Sequence, residues 1–255
     1  MKGLYTRENT MRLKLIACDV LTREICVLVA QTPHVFDMEF TEKDSHNRSD
    51  NLRRLIQEKI DRCEGKQYDA VLLAYGLCGN STVGLEARDT RVVIPRAHDC
   101  CTLFLGSKER FKQHFQDNPS QPFSSPGYME RSDTLFHDGS GGKNMEEDPV
   151  YLEHVEKYGE ENARYIYETM HGTKIIHNKL VYIEIPETRH PGYAELCRKR
   201  AQEARMEFVP LEGSLELLKN LIFGNWHPED FLILSPKRRT KGVYDYEKII
   251  GSEPV

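Results

Sequence analysis

The sequence predicts an α/β protein: mostly parallel sheets with helices on both faces, arranged as two Rossmann-like α/β lobes. Three observations predict it. Short continuous apolar runs such as "LKLIAC" and "YDAVLLAYG" read as strands buried on both faces. Stretches with apolar residues at helical spacing lie between them, and strands that alternate with helices build parallel sheets. The chain has 255 residues, 39% apolar and 29% charged, which is ample for a real core or for two smaller α/β lobes.

In chain order, "MKGLYTRENT" has no apolar centre and no small-residue cleavage site, so residues 1–10 read as a loose extension without an export signal. "LKLIAC" is the first strand, "VLTREICVLVAQ" a helix, and the alternating "VFDMEF" a second strand. Leu52, Leu55, Ile56 and Ile60 share one helical face, so 49–63 is an amphipathic helix with Ser49 or Asp50 as its cap. "YDAVLLAYG" and "RVVIP" are further strands, the latter stopped by Pro95. These elements make a first lobe over 11–116. Residues 117–148 are rich in Pro, Gly, Ser and Asp and form a lid or connector, longer than most structureless loops. The second lobe, 149–255, opens with a helical region at 149–170. The strand "KLVYIEIP", a helix over 191–205, the strand "MEFVP", a helix over 214–223 and the strand "FLILSP" follow. Ser214 reads as a helix cap, Trp226 as the anchor of the turn before the last of these strands, and "PKRRTKG" as a solvated cationic face.

Composition excludes several classes. The net charge of −5 argues against general nucleic-acid binding, which needs a basic surface. No apolar run approaches the ~20 residues that span a bilayer. Seven cysteines without an export signal point to the cytoplasm, where thiols stay reduced, and therefore to metal binding or chemistry before disulfides.

The informative stretch is "VVIPRAHDCCTLFLGS". Ligands of open α/β sheets bind outside the carboxyl ends of the strands. Cys18 ends one strand, Cys78 lies just past another, and His98, Asp99, Cys100 and Cys101 follow a third. His46 and Asn47 follow a fourth. If these strands are parallel neighbours, the groups gather on one edge. Thiolates and imidazoles hold zinc and iron, and thiolates hold iron–sulfur clusters. One reading is an open zinc site on Cys78, His98 and Cys100, with Asp99 orienting His98, that activates a substrate thiol. Another is a [4Fe–4S] cluster on Cys18, Cys78 and Cys100. Cys26, Cys63 and Cys197 sit in helical patterns and read as packing, and of Cys100 and Cys101 one can face the core. The glycines of "YGLCGNSTVGLEA" suit a tight turn shaping the site or an anion nest. There is no P-loop, GxGxxG, GxSxG or HExxH.

Taken together, "ACDVL", "SHNRSDNLRRLIQEKID", "YDAVLLAYGLCGNSTVGLEA", "VVIPRAHDCCTLFLGS" and "GNWHPEDFLILSP" resemble a family known as domain of unknown function 1638. The resemblance runs from Met11 to the strand "FLILSP". It implies company rather than mechanism: anaerobic bacteria and methanogens, with genes beside corrinoid-dependent methyltransferases. That setting suits methyl transfer to a thiol, or a non-catalytic accessory role in binding a corrinoid protein or its cofactor. The positions that carry over are Cys18, His46, Cys78, Gly79, Asn80, Arg96, His98, Asp99 and Cys100. Cys78, His98 and Cys100 are the metal candidates, Cys18, His46, Gly79 and Asn80 the cofactor candidates, and Asp99 and Arg96 the catalytic ones. "SSPGYMER", "HNKLVYIEIP" and "HDGSGGKNMEEDP" depart from the family pattern, which bears on the lid and the substrate pocket.

Overall fold

The structure is a computed structural model that describes residues 10–43, 49–118, 121–131, 151–152, 155–156, 159–160, 162, 178–190, 192–243, 245 and 247–255. The N-terminal extension before Thr10, the His46–Asn47 pair and most of the expected helix at 149–170 lie outside these residues.

The apolar runs become strands because their residues are enclosed on both faces. β1 (Arg12–Cys18) buries every residue after Arg12, and β3 (Ala70–Ala74) and β4 (Val92–Pro95) are buried throughout. β2 (Val35–Thr41) is only partly buried because it lies on the sheet edge. The order is β2-β1-β3-β4-β8, with β8 (Phe231–Leu234) antiparallel to β4 and the other pairs parallel. An antiparallel edge strand on an otherwise parallel sheet is a common way to cover its last strand. Two helices follow the first strands: α1 (Thr22–Val29) and α2 (Ser49–Asp61), the latter burying Leu52, Ile56 and Ile60.

Beyond β4 the second apolar run of the central stretch is helical. α3 (Cys100–Leu105) buries all its residues and ends on Gly106 in the left-handed conformation. α4 (Lys108–Phe115) follows, capped by Ser107. The chain then starts a second parallel sheet, β5-β6-β7, from β5 (Phe123–Ser124), β6 (Lys179–Glu184) and β7 (Glu207–Glu212). α5 (Pro126–Arg131) leaves β5, and α6 (Tyr193–Glu203) and α7 (Glu216–Phe223) follow later in the chain. Thus the segment expected as lid or connector supplies a strand and a helix. β8, which lies beyond the expected boundary at 149, returns to the first sheet.

"PKRRTKG" lies largely in a strand, and Lys237, Arg239 and Lys241 are exposed on it, as expected of a solvated cationic face. β9 (Arg238–Gly242) pairs antiparallel with β10 (Ile250–Pro254), and Glu253 accepts ion pairs from Arg239 and Lys241. Trp226 does anchor its turn: its indole N–H donates to the Leu221 carbonyl at 2.8 Å. The main apolar cluster is continuous. It joins Leu15, Leu72 and Val93 of the first sheet to Phe123, Val181 and Ile183 of the second. The fold is therefore mixed α/β, with helices flanking two mostly parallel sheets on a shared core. Among the described residues no helix is long and apolar enough to cross a membrane.

Candidate functional site

Register decides what meets at the carboxyl edge of the first sheet. Ala17 of β1 pairs with Ala74 of β3, and Leu72 of β3 with Val93 of β4. Cys18 therefore ends β1 beside the exit of β3, and the loops after β3 and β4 leave side by side. Two backbone hydrogen bonds zip those loops together: Leu77 N–H to Ala97 C=O at 2.8 Å and Cys78 N–H to His98 C=O at 2.9 Å. Gly76 permits the approach. A Cβ there would lie 2.5 Å from Asp99 Cα, so any side chain would push the loops apart.

The loop after β3 then turns sharply. Cys78, Gly79 and Asn80 all have positive φ, at 46°, 60° and 67°. For residues with a Cβ this conformation is unfavourable by roughly 1 kcal/mol or more and persists where the surroundings impose it. Here they do: the Ser81 hydroxyl donates to Cys78 C=O at 2.7 Å, and Arg53 donates to Asn80 C=O at 2.8 Å. Gly79 and Asn80 themselves are exposed.

Cys100 and Asp99 come from the start of α3. Asp99 is its N-cap, accepting the Thr102 N–H at 3.2 Å. Desolvation pushes its carboxyl up to about 6, against the N–H donors of Thr102 and Cys101. The Cys100 thiol and the Tyr128 hydroxyl share a hydrogen bond of 2.7 Å. Tyr128 is carried in by α5, which seats closely: a Cβ on Gly127 would fall 1.8 Å from the Val20 carbonyl oxygen. Tyr128 also packs edge-on against Phe123, with ring centres 5.2 Å apart.

The three thiols also influence one another electrostatically. Burial pushes Cys18 up to about 12. Burial also raises Cys78, and the charges of Asp99 and Cys18 add to it. At Cys100 burial acts first, followed by Cys78, Asp99 and Cys18. Each of the three thiols is thus within electrostatic reach of the others. Tyr75, which shares a 2.8 Å hydrogen bond with Thr41, feels Cys18 and Cys78 as well.

The remaining sequence candidates make other contacts. The His98 ring stacks on Phe111 with centres 5.1 Å apart; burial lowers its pKa, and Asp245 opposes that. Arg96 donates to the carbonyls of Pro228 at 2.8 Å and Lys248 at 2.7 Å, and also to that of Ile250, so its guanidinium holds the C-terminal strands. His46 falls outside the described residues. Cys63, Cys101 and Cys197 are buried, whereas Cys26, expected as packing, is exposed because its position on α1 faces outward. Ser214 accepts the Glu216 N–H at 3.2 Å, a capping bond. Among the described residues no three His, Cys, Asp or Glu side chains stand close enough to hold a single metal ion.

Sequence reasoning missed Tyr128 and α5. Their signal was present in "SSPGY": a Ser before a Pro at the first helical position is a helix start. The composition of the surrounding segment masked it.

Comparison with family models matches residues 40–222 to the family described as "Protein of unknown function (DUF1638)". No curated protein and no solved structure matches the chain. The match spans well over half the sequence, and the chain belongs to that family.

Proposed function

From membership in a family whose description assigns no activity, we propose that the protein is a metal-dependent enzyme whose centre is held by Cys18, Cys78 and Cys100. The single observation that carries this reading is that three thiols from three adjacent parallel strand ends share one enclosure. Soft thiolates suit zinc and iron, and three of them leave a fourth position open for a small substrate. Three cysteine thiolates also suit a [4Fe–4S] cluster, which takes cysteine ligands and would keep one iron open for substrate. Such a cluster, when bound, supplies an open iron that polarises a substrate oxygen or binds a thiol.

The chain's own residues do the rest. The left-handed turn at Cys78–Asn80 aims the Cys78 side chain inward at the strand edge. Tyr128 fixes Cys100 through its hydroxyl. Asp99 holds the start of α3 and places a carboxyl beside the thiols. The raised thiol pKa values mean that metal must displace protons, so loading is pH-dependent.

A second reading is zinc on Cys78, His98 and Cys100 activating a substrate thiol; the hydrogen bond from Cys78 N–H to His98 C=O keeps those two residues adjacent. In either form we read the two parallel sheets as two Rossmann-like lobes and the site as lying in a reducing, cytoplasmic setting. The company that the family resemblance implies supports a role in one-carbon, corrinoid-linked methyl metabolism. A corrinoid protein is then a natural partner.

The test is metal and sulfide content with an absorption spectrum, on protein purified without oxygen. Iron with sulfide, lost in Cys18→Ser, Cys78→Ser and Cys100→Ser, supports the cluster. About one zinc per chain, lost in Cys78→Ser, Cys100→Ser and His98→Ala but kept in Cys18→Ser, moves the reading to thiol activation. No metal in wild type sinks both.

A further inference from the structure

Two cations stand at the rim of the thiol site, and the reading above does not use them. Lys43 follows β2, and its ammonium lies 5.0 Å from the centre of the Tyr128 ring. Tyr128 is the residue bonded to Cys100. Arg131 comes three residues after Tyr128 on α5, so the two side chains leave the helix on the same face. The opposite side of α5 is occupied by Glu130, which pairs with Arg23 of α1 at 2.6 Å.

Both cations act on the inner groups. Arg131 lies within electrostatic reach of Asp19, and Lys43 within reach of Cys18. Lys43 is half-buried and Arg131 exposed, whereas Tyr128 and Cys100 beneath them are buried. From solvent inward the order is cations, then the tyrosine ring, then thiols.

We propose that Lys43 and Arg131 form an anion subsite that takes the carboxylate of a small organic acid and so presents its remainder to the thiols. This rests on the thiol-centre reading and names its substrate class. A carboxylate fits better than a phosphate for two reasons. Asp19 and Asp99 face the same enclosure, and a dianion would meet two carboxyl groups where a monoanion meets less repulsion. The start of α3, otherwise a natural seat for phosphate, is already capped by Asp99.

The experiment is calorimetric titration of the anaerobically purified protein with acetate, propionate, lactate and inorganic phosphate, with metal content measured on the same samples. A carboxylate is expected to bind wild type. Lys43→Met and Arg131→Gln are each expected to weaken it by about tenfold or more, and Lys43→Arg to restore it. Lys241→Met, in the distant hairpin where Lys241 pairs with Glu253, is expected to leave binding unchanged. The proposal is overturned if no carboxylate binds, if phosphate binds more tightly than all of them, or if both cation variants bind as wild type does. Cys100→Ser separates the two readings. Carboxylate binding that persists there, in protein without metal, supports the subsite whatever becomes of the centre. Metal-loaded wild type that binds no carboxylate overturns the subsite alone.

Discussion

The two parallel sheets end differently at their carboxyl edges. At the edge of the first, the chain delivers Cys18, Cys78, Asp99 and Cys100, and α5 adds Tyr128. At the edge of the second, the backbone closes on itself. Gly213 N–H donates to Glu184 C=O at 2.8 Å, Ser214 N–H to Phe104 C=O at 2.9 Å, and Arg110 reaches the Glu212 carbonyl. Glu184 is held by Arg189 at 2.8 Å. A Cβ on Gly213 would lie 2.6 Å from both the Phe104 carbonyl oxygen and Ile185. Topology makes both edges eligible for a ligand. The loops decide which one stays furnished with reactive groups and which is sealed by hydrogen bonds.

The comparison breaks most easily at the glycines. Gly76→Ala and Gly213→Ala each drive a methyl into fixed backbone, and each is expected to cost about 2–4 kcal/mol. Denaturant midpoints measure that cost. Equal losses at both positions would show that the furnished edge is packed as tightly as the sealed one. A Gly76→Ala protein with unchanged stability would mean that the zipped loops give way.

Cysteine exchange sharpens the contrast within the furnished edge. Cys100→Ser keeps a hydroxyl for Tyr128 and is expected to abolish metal retention with little change in stability. Its neighbour Cys101 is fully buried in the core. Cys101→Ser is expected to retain the metal while losing about 1–3 kcal/mol by burying a hydroxyl. Metal analysis beside thermal melting reads both. If the two variants lose metal alike, Cys100 has no special place.

Tyr128→Phe tests the hydrogen bond itself. It leaves the ring packed on Phe123 and removes only the partner of Cys100, for an expected loss of about 1 kcal/mol. Retained metal with an altered absorption spectrum would mark the hydroxyl as a group that tunes the centre.

The smallest effect lies away from both edges. Burial pushes the Glu39 carboxyl up, but hydrogen bonds and charges from Lys14 and Lys59 outweigh it and bring it down to about 2. Its folded value is below the ordinary carboxylate value of 4.5. Its contribution is therefore present above about pH 4.5 and is lost as pH falls toward 2. A third of the side chain is exposed, so solvent screening leaves about 1 kcal/mol or less. Glu39→Gln is expected to flatten the acid limb of stability by that amount without touching metal content. A variant that changed metal content would show that the two regions are coupled.

Much of the fold was legible because burial on both faces writes itself as continuous apolar runs. "LKLIAC", "AVLLA" and "VVIP" could be read as parallel strands from their residues alone. The cysteines at strand ends were legible for the same reason, since Cys18 and Pro95 end the continuous apolar runs. β8 was legible as a strand but not as a neighbour of β4, because "FLIL" carries nothing that specifies its partner. The hairpin of β9 and β10 was not read, because its residues are charged and polar and show no apolar alternation. Tyr128 was hidden for a related reason. A tyrosine in a Pro- and Ser-rich segment looks like any loop residue until α5 is laid against Val20.

By itself the sequence determined the class of fold, the elements that carry the thiols, and the side of the sheet on which they emerge. These follow from local pattern: periodicity, strand length and the residue that ends each run. Only the tertiary structure decided that β1, β3 and β4 are adjacent, that Tyr128 closes over Cys100, and that the His98 ring rests on Phe111 and Arg96 holds the C-terminal strands. Those outcomes depend on register and on contacts between residues far apart in the chain. A one-residue shift in pairing would turn the buried side chains of a strand to the other face and displace the loops that follow it.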